Sequence, residues 1–277
     1  MKPGITIFAL LFSIAVSAKA PEQFSIKTSA PENRNLKFTV RVPAPGNRKY
    51  PRRIMVLFGG RNWTGDRTLK VYKMDELADK YNLILLSPWF KNDEYWYPEK
   101  WSGKALFEAV AQVCRQYKVD PKKKLLYYGY SAGGQCANLF YEWKPERVKA
   151  WGVHACGVWR LLKNTKTPAP GIVTCGEDDT ARFEISKLYI RKLREAGTPI
   201  IWLGLPGGHG LSENTLKMAR SFFISVLDNG KVIFIADDQV KRLIKANSRQ
   251  AGKIEPAYRN TFFDKQTAEL WNSLTTD

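Results

Sequence analysis

Gly129-Tyr130-Ser131-Ala132-Gly133 sets a serine between two glycines, directly after the apolar run 125–128 and directly before a stretch with helical apolar spacing over Ala132–Trp143. A strand that turns into a helix this sharply crowds its own backbone, and glycines two before and two after the serine remove the Cβ atoms that would clash. The serine hydroxyl is then held out toward substrate. At neutral pH it is a weak nucleophile, so the chemistry needs a base, and a histidine titrating near pH 6.5 is the usual one.

The chain holds two histidines. His209 lies in Leu205-Pro206-Gly207-Gly208-His209-Gly210, a glycine-rich loop that follows the apolar run 200–205 and precedes a helix opened by Ser212. A loop end can reach across a sheet edge, which makes His209 the expected base. His154 sits inside the apolar run 151–155, the setting of a satisfied core histidine. An acid must orient the base, and the run 171–175 ends in Gly176-Glu177-Asp178-Asp179, three carboxylates at one strand end. Asp179 also reads as the N-cap of a helix starting at Thr180. Taken together, Ser131, Asp179 and His209 follow the chain order nucleophile, acid, base. A glycosidase is a poorer reading, because a single loop would have to set two carboxylates across one sugar bond.

An oxyanion needs two backbone donors. The loop Phe58-Gly59-Gly60-Arg61-Asn62-Trp63 follows the run 54–58 and offers the N–H of Gly60 or Arg61, while Ala132 offers the other. These glycines are not a phosphate loop, since no G-x-x-x-x-G-K-[ST] occurs. A second loop, after the run 83–86, carries Trp89, Phe90, Tyr95, Trp96, Tyr97 and Trp101, which reads equally as a stacking wall for a ring or as a satellite core. Arg61, Trp89, Trp96, Tyr130 and His154 are expected to line the substrate site.

The elements that position these groups follow from periodicity. Residues 36–42 alternate apolar and polar, a half-exposed antiparallel strand, whereas 54–58, 83–86, 125–128, 151–155, 171–175 and 200–205 are continuous apolar runs, strands buried on both faces. Helical spacing lies between them, as in Leu106, Val110, Val113 and Tyr117, and in Ile185, Leu188, Leu193 and Ala196 with Gly197 as cap. Alternating buried strands and helices predict an α/β fold: a doubly wound, mostly parallel sheet with antiparallel N-terminal strands, whose function gathers at the carboxyl ends of the strands. After Gly230 come a short apolar run (232–236), a basic helix-like stretch and an amphipathic turn around Leu270-Trp271.

Composition bounds the rest. Lys2, an apolar core from Ile5 to Val16 and Ala18-Lys19-Ala20 read as a signal peptide over 1–20, cleaved near Ala20, too short to span a bilayer; the expectation is a secreted or periplasmic protein without a membrane anchor. Residues 21–230 form one catalytic domain and 231–277 an extension packed on it. The formal net charge is +18, with Lys2 and Lys19 contributing two, and the cations are spread along the chain. That is a solvated basic surface more than a nucleic-acid site. Cys114, Cys136, Cys156 and Cys175 sit in apolar contexts and read as buried free thiols. With two histidines and no C-x-x-C, neither a metal nor another cofactor is expected, and a monomer is.

On these residues the chain resembles the α/β-hydrolases, and within them the secreted polyhydroxyalkanoate depolymerase and feruloyl or acetylxylan esterase group. The likeness runs from about Phe38 to Leu227 and is most specific from Trp96 to Gly134, where an aromatic loop leads through a helix to Val119-Asp120-Pro121, a strand and Gly-Tyr-Ser-Ala-Gly-Gly. It implies Ser131 as nucleophile, Asp179 as acid, His209 as base and Gly60 and Ala132 as oxyanion donors of a serine esterase acting on acetyl or feruloyl esters of polysaccharide, or on polyester. The chain departs from the group at Phe58-Gly59, where His-Gly is common, at His154-Ala155-Cys156 and beyond Gly230. The same triad would serve an exported serine peptidase, and the scaffold alone would serve a non-catalytic glycan-binding module.

Overall fold

The apolar runs become strands and the segments between them helices, in a computed structural model that describes residues 22–27, 35–44, 49–92, 94–161 and 168–276. The expected signal peptide and its cleavage site lie outside the described residues. The chain runs β1 (Glu22–Lys27), β2 (Asn35–Arg41), β3 (Arg53–Phe58), α1 (Gly65–Tyr72), α2 (Asp75–Tyr81), β4 (Leu83–Pro88), α3 (Gly103–Tyr117), β5 (Leu125–Tyr130), α4 (Ala132–Trp143) and β6 (Val148–His154). It continues through β7 (Gly171–Gly176), α5 (Thr180–Glu195), β8 (Ile200–Leu205), α6 (Glu213–Asp228), β9 (Phe234–Asp237), β10 (Arg242–Lys245), β11 (Arg259–Phe262) and α7 (Lys265–Ser273).

Eight strands make one sheet in the order β1-β2-β4-β3-β5-β6-β7-β8. The β1–β2 and β2–β4 pairs are antiparallel and every later pair is parallel. The chain steps from β3 outward to β4 and returns to β5 on the other side of β3, so the carboxyl ends of β3 and β5 flank the switch point where such sheets bind ligands. Side chains alternate between two cores: Ile54, Val56, Phe58 and Tyr127 face α3, α4 and α5, while Met55, Leu57, Leu126 and Tyr128 face α1, α2 and α6. Burial on both faces is why these strands read as unbroken apolar runs.

Two expectations need correction. Ile185 and Leu188 do not form the buried face of α5; they are 41% and 57% exposed, and the helix buries Ser186, Tyr189, Ile190 and Leu193 instead. Tyr189 and Ser186 satisfy their hydroxyls on Asn138 and Cys156, so polar residues that find partners took the inward face. The basic stretch after residue 237 is not helical: Lys241 turns in the left-handed region at φ 52 and β10 pairs antiparallel with β9. Its Arg, Lys, Leu and Ile suit a helix by propensity, and pairing in the hairpin overrides that preference.

The extension covers the open edge of the large sheet. Strand β8 is its last member, and an edge strand leaves backbone groups unpaired. The Trp202 N–H donates to the Asn260 side chain on β11, and its carbonyl accepts from Trp271 Nε1–H of α7 at 2.7 Å. Among the described residues no helix is long and apolar enough to cross a membrane.

Candidate active site

Ser131 is the single residue between β5 and α4 and holds φ 56, ψ −122, a conformation that side-chain-bearing residues rarely adopt. Its N–H donates to the His154 carbonyl at 2.9 Å, and its carbonyl accepts from Gln135 N–H at 3.0 Å. The flanking glycines are sterically required. A Cβ on Gly129 would lie 2.0 Å from the Gly133 carbonyl oxygen, and one on Gly133 would lie 2.0 Å from that of Phe58. The second approach presses the first turn of α4 against the end of β3, which brings the loop after β3 beside the serine.

His209 arrives from the loop after β8. Its Nε2 lies 2.9 Å from Ser131 Oγ and its Nδ1 2.6 Å from Asp179 Oδ2. A carboxylate only accepts, so Nδ1 carries the proton and Nε2 is left to accept from the serine hydroxyl. The loop comes this close because β7 ends in glycine: a Cβ on Gly176 would sit 2.1 Å from the Gly208 carbonyl oxygen. Asp179 occupies the N-cap position of α5, yet its carboxylate makes no capping hydrogen bond. One oxygen goes to His209 and the other to Arg182 Nη1 at 2.9 Å. Burial alone would raise its pKa, but hydrogen bonds from His209 and Arg182 and the Arg182 charge outweigh that and hold it below the ordinary carboxylate value. Asp178 is exposed.

No family model matches the chain, and no curated protein matches it by sequence. Solved structures do match. A ferulic acid esterase superposes with TM-score 0.59 at 15% identity, over 76% of this chain and 97% of that one. The S-formylglutathione hydrolase FrmB of Staphylococcus aureus gives 0.59 at 16% identity, over 75% and 98%. A thermostable esterase gives 0.56 at 20% identity, over 68% of this chain and 55% of that one, so the chain spans about half the length of that relative. This is the α/β-hydrolase fold.

Within this hydrolase fold the structure sorts the remaining expected residues. Ala132 follows Ser131 at the first position of α4, and Gly60, on the loop after β3, lies against the ring of Tyr130, the residue before Ser131. Gly60 accepts from Trp63 N–H at 3.0 Å in a tight turn with Asn62 at φ 59, which folds the Trp63 ring back over Gly60. Arg61 is exposed at the tip of that turn. Tyr130 is half-buried and is brought to the site: its ring centroid lies 5.2 Å from that of His209 and 5.5 Å from that of Trp63.

His154, Trp89 and Trp96 do not take the substrate-facing positions expected of them. His154 is 1% exposed, and its ring is consumed by Thr174 Oγ1 at 2.8 Å and the Gly210 carbonyl at 3.0 Å. Burial pushes its pKa down to about 4, with the Gly210 carbonyl opposing, so the ring is neutral at pH 7 and Nε2–H donates to Gly210. Trp89 gives its indole N–H to Thr39 at 2.8 Å and packs on β2 and the start of α1. Trp96 meets Tyr95 edge-on and packs against the core on the α3–α4 face of the sheet, which Phe90, Tyr95 and Trp101 of the aromatic loop join.

Two residues at the site were not foreseen. Arg182 braces Asp179 from one helical turn on, and its i, i+3 spacing from Asp179 was a readable signal. Trp63 forms a floor with Tyr130 and is capped by Arg67, whose guanidinium carbon lies 4.3 Å from the ring. Nothing in the spacing of Trp63 pointed inward, because the tight turn decides its direction.

Proposed function

We propose that this chain is an exported serine hydrolase that cleaves carboxylic esters through an acyl-enzyme. The observation that carries the reading is the line Ser131 Oγ, His209, Asp179, closed by contacts of 2.9 and 2.6 Å on a strained strand-to-helix turn. Ser131 Oγ attacks the ester carbonyl carbon while its proton passes to His209 Nε2, and Asp179 stabilises the imidazolium that forms. Negative charge then develops on the carbonyl oxygen, where the N–H groups of Gly60 and Ala132 receive it; one such donor is worth about 3 to 4 kcal/mol. Collapse expels the alcohol, which takes the proton from His209. Water repeats the sequence on the acyl-serine and releases the acid. The Trp63–Tyr130 floor supports a flat or short acyl group, and the substrate class is an acetyl or hydroxycinnamoyl ester on polysaccharide, or a polyester. Export rests on residues 1–20.

The test compares purified protein with Ser131→Ala on a chromogenic acetate, then on feruloyl, acetyl-xylan, glucuronoyl and hydroxybutyrate esters in parallel. Losing the nucleophile costs about 10⁶-fold in turnover in a serine protease. Equal rates for the two proteins would remove the proposal.

A further inference from the structure

One cavity among the described residues is lined by none of Ser131, Asp179 and His209. It is an open cleft of about 490 Å³ between α5, the β8 edge and the extension, in the size range of small-molecule sites. Its two walls come from parts of the chain far apart in sequence, α5 on one side and the β9–β10 turn with the segment before β11 on the other.

The cleft is cationic. Lys187 and Arg191 stand one turn apart on α5, and Lys241 faces them from the β9–β10 turn. Arg194 and Asp238 also line it, but they neutralise each other in a buried ion pair at 2.5 Å and hold the wall together. Against the three remaining cations stands Glu177 alone, since Glu184, the partner of Lys187, reaches it only through an exposed contact at 3.3 Å. Arg191 and Lys241 have no carboxylate partner among the described residues; Arg191 instead lies 5.1 Å over the Tyr258 ring and Lys241 5.5 Å over the Trp271 ring. Stacking pre-orders a guanidinium and leaves its N–H edge free for a carboxylate. Phe183 and Tyr258 serve as seats for these cations, Lys187 lying 5.2 Å over the Phe183 ring, while Trp202 is buried beneath Phe183.

We infer that this cleft binds an oligosaccharide bearing carboxylates, its acid groups on Arg191, Lys187 and Lys241. Cations held on opposite walls of an open cleft suit acid groups spaced along a stiff sugar chain, which loses less conformational freedom on binding than a flexible acidic peptide. The cleft shares Glu177 and Pro206 with the two loops that carry Asp179 and His209. A link from this cleft to an ester-bearing acidic polysaccharide at Ser131 rests on the hydrolase reading. Binding itself does not.

The experiment is calorimetric titration of trigalacturonate into the Ser131→Ala protein, which separates binding from turnover. Expected is saturable binding that weakens at least 10-fold in Arg191→Gln/Lys241→Gln and is unchanged in Lys122→Gln/Lys124→Gln, a control for the general positive charge. Circular dichroism checks that the substitutions leave the fold intact. Absence of binding, or equal losses in both double variants, overturns the proposal. Equal affinity for neutral xylotriose overturns the role of charge, and tighter binding of a glutamate tripeptide overturns the saccharide assignment. Ester hydrolysis lost in Ser131→Ala with no trigalacturonate binding would leave the hydrolase standing and remove the cleft.

Discussion

His154 Nε2 lies 3.0 Å from the Gly210 carbonyl, so the second of the two histidines holds the loop that presents the first. This buried ring has a pKa near 4, against 6.5 when free, and the unfolded chain therefore binds the extra proton between those values. Stability is then full above pH 6.5 and falls as pH drops toward 4, by on the order of 3 kcal/mol for a shift of this size. Chemical denaturation across that window is expected to show the slope in the parent and lose it in His154→Gln. Asp179, also depressed, titrates below this window and does not mimic the effect. A parent whose stability is flat from pH 6.5 to 4 refutes the account.

Asp179 and its neighbour Asp178 make a matched pair for testing the acid. Asp179 reaches His209 at 2.6 Å and Asp178 is exposed. Turnover is expected to fall by up to ~10⁴ in Asp179→Asn, as in a serine protease, and to stay within a few-fold in Asp178→Asn. The reverse ranking would transfer the role.

Arg182 shares Asp179 with His209. In Arg182→Gln the His209–Asp179 pair loses a neighbouring cation, so adding a proton to the pair costs less and the acid limb of kcat/KM moves to higher pH. The move is a fraction of a pH unit, because the guanidinium is 41% exposed and partly screened. An acid limb that stays in place or moves down would show that Arg182 does not act on the carboxylate.

Gly176→Ala tests whether loop approach sets the position of His209. The added Cβ would meet the Gly208 carbonyl oxygen at 2.1 Å, and a displacement of about 1 Å can cost 10²-fold in rate. The expected variant is folded by circular dichroism and nearly inactive. Full activity would mean the loop has slack that the packing does not suggest.

Asn260 tests the covered edge. Its side chain accepts from Trp202 N–H and Arg194 Nη2 and donates to Asp238, all in a fully buried position. Asn260→Ala leaves several buried groups unpaired at roughly 1 to 3 kcal/mol each, so its denaturation midpoint should fall sharply. A shift smaller than that expected for one lost hydrogen bond would argue against the extension as a structural cap.

Much of this was readable in the residues themselves. Unbroken apolar runs such as Ile54-Met55-Val56-Leu57-Phe58 announce strands buried on both faces, and Gly129 and Gly133 around Ser131 announce a turn that tolerates no Cβ, because each is a local steric or solvation requirement. The order of serine, acid and histidine was likewise visible. Contacts between distant segments were not. Ile185 and Leu188 keep helical spacing yet lie outside, because Tyr189 and Ser186 found hydrogen-bond partners in the core. Trp63 turns inward through a left-handed Asn62, Trp89 turns away to Thr39, and Arg182 reaches an acid that also reads as a helix cap. Sequence by itself determined which residues could react and which strands would carry them. Tertiary structure alone decided which side chains met, since burial and pairing between strands far apart in the chain select one rotamer, one loop direction and one partner from several that local preference leaves open.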